Sequence, residues 1–277
     1  MTEFLTVEDG TIAYDVAGSG PLVVLAHGMG DDRASYRFLV PRLVAAGYRV
    51  ATTDLRGCGE SSVDWPAYSR TDIAGDLVAL VGHLGGPAVL VGQSISGGAV
   101  TIAAAQAPDL VLGIVELAPF TRRQTFRLGD LRVKRFRAAM TRLLLTVSLG
   151  SVRWWRSYLD LAFPGPKPAD WDEQLERIGA TMGEPGRMRA MQRMGRSAPV
   201  DAGAQLEHVR CPALIVQGSL DPDWADPRAE GEAVVAAMPA GLATLEMIEG
   251  AGHYPHTQFP DETAALLLGF LQAHARA

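Results

Sequence analysis

The sequence predicts an α/β fold: a mostly parallel, doubly wound sheet with an N-terminal antiparallel hairpin and a helical insertion. Three observations predict it. Short apolar, β-branched runs recur along the chain, as strands buried on both faces of a parallel sheet require. Helical patterns alternate with them, which implies right-handed strand–helix–strand crossovers. One long stretch, 121–200, breaks the rhythm and contains no convincing strand.

The elements follow in order. FLTV and TIAYDVAG flank a turn at 8–10 and read as an antiparallel hairpin. PLVVLA (21–26), YRVATTD (48–54), PAVLVG (87–92), VLGIVEL (111–117) and PALIVQG (212–218) read as buried strands, and LATLEMI (242–248) as a weaker one. Helices are expected over 35–46, where Pro41 marks a kink or restart, and over 71–84, where Asp72 and Asp76 suit the positive end of the helix dipole. Others are expected over 100–107, 228–238 and 262–275. The stretch 121–200 is too long for one crossover. It holds helical patches at 131–145, 152–161, 171–179 and 186–194, and a breaker cluster, PGPKP, at 164–168. The expected organisation is a core of 1–120 and 201–277 with a helical cap of 121–200.

A chain of 277 residues, 48% hydrophobic and 20% charged, can bury a full core without staples. A net charge of −6 argues against nucleic acid as a partner, because phosphate binding needs a basic surface. A small-molecule substrate is expected, with the protein a monomer or homodimer. Two cysteines, Cys58 and Cys211, make no disulfide framework. The first residues show no basic segment followed by an apolar run, and no apolar run reaches the ~18 residues of a membrane span. Stable membrane insertion is not expected, and the expected location is the cytoplasm.

The stretch GQSISGG (92–98) carries the chemistry. It follows an apolar strand and precedes a run of small residues, the setting in which a serine is held on a strained strand-to-helix turn. Both Ser94 and Ser96 have small residues at −2 and +2. Register against Gly92, the glycine that ends the strand, selects Ser94 as nucleophile. A serine needs a base. His253 lies in the Gly-rich loop EGAGHYPH, with His256 a competitor three residues on; His27 is expected to shape a loop. The base needs an orienting carboxylate. QGSLDPDWADP offers Asp221, three residues after Gly218, as well as Asp223 and Asp226, and Glu116 at the end of the preceding strand is a second candidate. Oxyanion donors should be the N–H of Ile95, after the nucleophile, and that of Met29 in the loop AHGMG (26–30).

LAHGMG, TDLRGCGESS (53–62), LVGQSISGG, QGSLDPD and GAGHYPH together resemble the successive landmarks of the α/β-hydrolase superfamily. The resemblance spans nearly the whole chain except 121–200, which looks like that superfamily's variable cap. It implies a cofactor-independent serine hydrolase acting on a carboxylic ester or lactone, with Ser94, Asp221 and His253 as triad. Some members of the fold take the acid from the strand that here carries Glu116 near its end. The elbow departs from the usual pattern, with serine rather than glycine at +2, and in this resembles the strigolactone-receptor group and zearalenone lactonase. A serine nucleophile argues against epoxide hydrolase and haloalkane dehalogenase chemistry. Thioesterase, C–C bond hydrolase and perhydrolase activities share the triad, and a receptor-like binding protein is the alternative from another class. Gly28, Phe120, Trp154 and Tyr158 are expected to border the substrate. The arginines at 122, 123, 127, 132, 135 and 137 read as a solvated face, or as a surface for an anionic substrate or membrane.

Overall fold

The computed structural model describes residues 1–8, 10–125 and 127–275. One eight-stranded sheet runs through it: β1 (Glu3–Val7), β2 (Gly10–Ala17), β3 (Leu22–Ala26), β4 (Arg49–Thr53), β5 (Ala88–Gln93), β6 (Val111–Leu117), β7 (Ala213–Gly218) and β8 (Ala243–Ile248), in the spatial order β1-β2-β4-β3-β5-β6-β7-β8. β1 and β2 form the hairpin and β2 pairs antiparallel with β4; every later pairing is parallel. Of the expected turn at 8–10, Asp9 lies outside the described residues.

The continuous apolar runs are explained by two cores, one on each face. In β3, Leu22, Val24 and Ala26 point into one cluster and Val23 and Leu25 into the other. β5 alternates likewise, with Leu90 on the first side and Val89 and Val91 on the second. Helices α2 (Arg70–His83), α3 (Ile95–Gln106) and α9 (Pro227–Ala237) supply the first cluster, and α1 (Leu39–Ala45) and α11 (Pro260–His274) the second.

Between β6 and β7 lie only helices among the described residues: α4 (Lys134–Leu149), α5 (Val152–Ala162), α6 (Trp171–Gly183), α7 (Arg187–Gly195) and the short α8 (Val200–Gly203), with 3-10 turns. A further short helix, α10 (Pro255–Gln258), follows β8. No helix among the described residues is long and apolar enough to cross a membrane.

Three expectations need correction. The helix expected over 35–46 is a 3-10 turn (Arg33–Tyr36), capped by the Asp32 side chain, followed by α1. Pro41 falls in the first turn of α1, where its missing N–H has no intrahelical acceptor to lose. The helix expected at 100–107 starts at Ile95, because β5 and α3 are joined by a single residue, Ser94. Asp76 does not serve the dipole of α2. It forms a buried bidentate pair with Arg56 (2.7 and 2.7 Å), while Ser69 and Asp72 cap the helix reciprocally.

Candidate active site

Ser94 occupies a backbone conformation that non-glycine residues rarely adopt, with φ 56° and ψ −117°. The surrounding backbone holds it there. Its N–H donates to the Leu117 carbonyl (2.9 Å), and its carbonyl accepts from Gly97 and Phe120 (3.0 Å each). The turn is tight enough that a Cβ on Gly92 would lie 2.2 Å from the Ser96 carbonyl oxygen. Ser94 opens into a cavity of about 430 Å³. Ser96 is fully buried, and its hydroxyl donates to the His27 carbonyl (2.5 Å). The serine at +2 therefore fastens the elbow to the loop that faces it.

That loop is shaped by His27. The Leu55 N–H donates to His27 Nε2 (3.1 Å), which leaves Nδ1–H to donate to the Gly28 carbonyl (2.7 Å). Both ring nitrogens are thus engaged in holding the loop. Gly28 lies against the elbow: a Cβ there would sit 2.0 Å from Gln93 Oε1 and 3.0 Å from the Ser94 Cβ. Met29 follows and lines the cavity. Its N–H has no backbone acceptor among the described residues, and Ile95, as the first residue of α3, has no intrahelical acceptor. Both N–H groups are thus free of backbone acceptors among the described residues. Gly28→Ala is expected to push this loop off the elbow and lower kcat by about 100-fold or more, with the fold retained. Steady-state kinetics beside a far-UV thermal melt checks this.

His253 lines the same cavity. Its N–H donates to the Ala162 carbonyl (2.9 Å), and its own carbonyl accepts from Gln93 Nε2 (3.0 Å). The residue between Gly92 and Ser94 thus anchors the histidine loop. His253 Nδ1 lies 3.0 Å from Asp221 Oδ2 and 3.4 Å from Asp223 Oδ2. Asp221 is fully buried and satisfied, accepting also from Gln217 Nε2 (2.9 Å) and the Asp223 N–H (3.0 Å). Asp223 Oδ2 accepts from the Tyr158 hydroxyl (2.7 Å), whereas its Oδ1 has no partner among the described residues. Burial opposes charge on the imidazole, but attraction to Asp221 and then to Asp223, with the Asp221 hydrogen bond, outweighs it and raises His253 to about 9. Burial is also the main cause that raises the Asp223 carboxyl to about 6, against the attraction of His253. Asp221, Asp223 and His253 lie close enough to share a cation. The hydrogen bond from His253 Nδ1 to Asp221 already uses the atoms such an ion would need.

The competing candidates sit elsewhere. His256 is buried beside Tyr36 and shares a hydrogen bond with Ser35 (2.9 Å). Burial, then the nearby Arg37, His253 and His27, pushes it down to about 3. Glu116 does not reach the histidine. Its two oxygens accept from Thr101 (2.5 Å) and Thr121 (2.6 Å), and burial raises it to about 7. Asp226 caps α9 by accepting from the Ala229 N–H. Phe120 lies edge-on to His253, with ring centres 5.9 Å apart, and lines the cavity with Tyr158. Trp154 does not line it. One residue on, Trp155 is the inward ring, stacked on Tyr158 at 5.0 Å, while Trp154 is half-buried on the next face of α5. None of the arginines between 122 and 137 lines the cavity.

Sequence reasoning missed the roles of Gln93 and Gln217, whose amides brace His253 and Asp221 from the ends of their own strands. It also weighed Asp221 and Asp223 as alternatives, where the structure sets both against one imidazole.

The Alpha/beta hydrolase family profile matches residues 23–266. An uncharacterised protein of Mycobacterium tuberculosis is 30% identical over 278 residues, covering 96% of this chain and 78% of that one. A 2-(acetamidomethylene)succinate hydrolase of Mesorhizobium japonicum is 28% identical over 287 residues, covering 96% and 94%. The solved structure of an esterase from Exiguobacterium antarcticum superposes with a TM-score of 0.81 at 19% identity, covering 98% of this chain and 100% of that one.

Proposed function

This chain belongs to the alpha/beta hydrolase family and is a hydrolase, and we propose that it cleaves a carboxylic ester or lactone through an acyl-enzyme on Ser94. The observation that carries the reading is the shared cavity: Ser94 and His253 open into it together, and His253 is backed by the buried Asp221.

In this reading His253 Nε2 takes the Ser94 hydroxyl proton as Oγ attacks the substrate carbonyl carbon. Asp221 holds Nδ1–H, so that Nε2 is the free base, and stabilises the imidazolium that forms. The N–H groups of Met29 and Ile95 receive the oxyanion. As the C–O bond breaks, the imidazolium returns its proton to the leaving alkoxide. A water, deprotonated by the same imidazole, then attacks the acyl-enzyme; collapse releases the acid and restores the Ser94 hydroxyl. The helices of 121–200 act as a cap, with α4 and α5 closing the acyl pocket over the site through Met140, Leu143, Val147, Trp155 and Tyr158.

The test is a turnover panel of p-nitrophenyl esters of two to eight acyl carbons, simple lactones and matched thioesters. Multiple turnovers on esters or lactones, faster than on the thioesters, are expected. Binding of these compounds with no more than one turnover would mark a receptor instead, and a thioester preference would displace the ester reading.

A further inference from the structure

Among the described residues three arginines are buried: Arg56, Arg70 and Arg187. Arg56 is paired with Asp76 at 2.7 Å and Arg187 with Glu184 at 3.2 Å. Arg70, only 4% exposed, has no carboxylate within 4 Å among the described residues. Its Nε donates to the Phe120 carbonyl (2.8 Å) and its Nη1 to the Ser197 carbonyl (2.9 Å). A guanidinium carries five N–H donors, so three are left without a protein acceptor among the described residues. Removing a cation from water without a counter-charge is costly. Burial accordingly lowers Arg70 to about 10, and the more distant Asp201 only partly opposes this. Asp201 itself is engaged by the Thr71 N–H and hydroxyl (3.2 and 3.0 Å).

Arg70 lines the cavity that holds Ser94 and His253. It lies close to the nucleophile through the backbone: the carbonyl it bonds belongs to Phe120, whose N–H bonds the Ser94 carbonyl at 3.0 Å. Its stem passes Gly98, where a Cβ would lie 2.6 Å from the Arg70 Cδ. Arg196, exposed, also borders the cavity. Asp223, the single lining carboxylate among the described residues, already accepts the Tyr158 hydroxyl and faces His253. The rest of the wall is largely apolar.

We propose that Arg70 anchors a carboxylate carried by the substrate, so that the cavity takes esters or lactones of acids bearing a second acidic group a short chain away from the scissile carbonyl. The proposal rests on the esterase reading for its reaction but not for its binding site. A guanidinium with free N–H groups in a buried wall binds a carboxylate through short, charge-assisted hydrogen bonds. A neutral ester would leave that cation uncompensated.

The experiment has two arms. In the first, kcat/KM is measured on p-nitrophenyl half-esters of adipate and suberate, each with the distal carboxylate free or methyl-capped. The free acid is expected to be favoured by about tenfold or more in at least one pair, and the preference is expected to vanish in Arg70→Gln and survive in part in Arg70→Lys. The second arm needs no turnover: calorimetric titration of the enzyme with the diacids from succinate to suberate, against their diamides. At least one diacid is expected to bind about tenfold more tightly than its diamide, and Arg70→Gln to lose that margin. A preference for the capped esters, or a charge preference that Arg70→Gln leaves intact, overturns the proposal. Should Arg70→Gln fail to fold, diacid against diamide on the unaltered enzyme and on Arg196→Gln decides it: a margin that Arg196→Gln keeps supports the proposal, and a margin absent from the unaltered enzyme or lost in Arg196→Gln overturns it. Diacid binding that depends on Arg70 without hydrolysis of either ester would sink the esterase reading and leave this one standing.

Discussion

Ser94→Ala is expected to lower ester turnover by about 10⁴-fold or more, whereas Ser96→Ala is expected to keep its nucleophile and lose stability. The two serines share a sequence pattern but not an environment. Ser94 sits on the strained turn with access to the cavity. Ser96 is fully buried, with its hydroxyl spent on the His27 carbonyl. Removing that hydroxyl leaves a buried carbonyl short of a donor, which costs about 1–3 kcal/mol. It also loosens the loop that presents the Met29 N–H, so a moderate fall in kcat should accompany the loss of stability. Chemical denaturation and steady-state kinetics on both variants separate the two roles. Equal losses of turnover would contradict the division.

Asp221→Asn is expected to lower kcat by about 10³–10⁴-fold, because an amide in place of the carboxylate no longer enforces the Nδ1–H tautomer of His253. Asp223→Asn is expected to behave differently. Both carboxylates raise the His253 imidazole to about 9, Asp221 contributing more than Asp223. In the proposed mechanism the base works only when neutral, so kcat/KM should rise with pH as His253 loses its proton. Removing the Asp223 charge lowers that pKa and moves the acid limb to lower pH. Activity near pH 7 should therefore rise, by about tenfold for each unit the limb moves. A pH–rate profile of the three proteins reads this directly. An Asp223→Asn variant as inactive as Asp221→Asn, or one with an unmoved limb, would show that Asp223 does not act through the charge on His253.

Much of this architecture was legible in the sequence for physical reasons. Strands covered on both faces cannot alternate polar and apolar residues, so β3, β5, β6 and β7 read as near-continuous apolar runs. The elbow was legible because only small side chains tolerate a chain that doubles back within five residues, as the clash at Gly92 shows. Features set by the approach of distant segments were hidden. The choice between Trp154 and Trp155 turns on the rotation of α5 against the cavity, which a single aromatic pair does not encode. The link from Gln93 to His253 spans 160 positions, and that from Arg70 to Ser197 spans 127. Glu116 looked like a candidate acid because it lies near the end of the strand beside the elbow strand. In the structure Thr101 and Thr121 occupy both its oxygens.

The central claim is an acyl-enzyme on Ser94, and intact-protein mass spectrometry after reaction with a fluorophosphonate, followed by peptide mapping, tests it most directly. A single adduct on the peptide containing Ser94 is predicted for the unaltered enzyme and for Ser96→Ala, and none for Ser94→Ala. An adduct that persists in Ser94→Ala, together with undiminished ester turnover, would contradict the account.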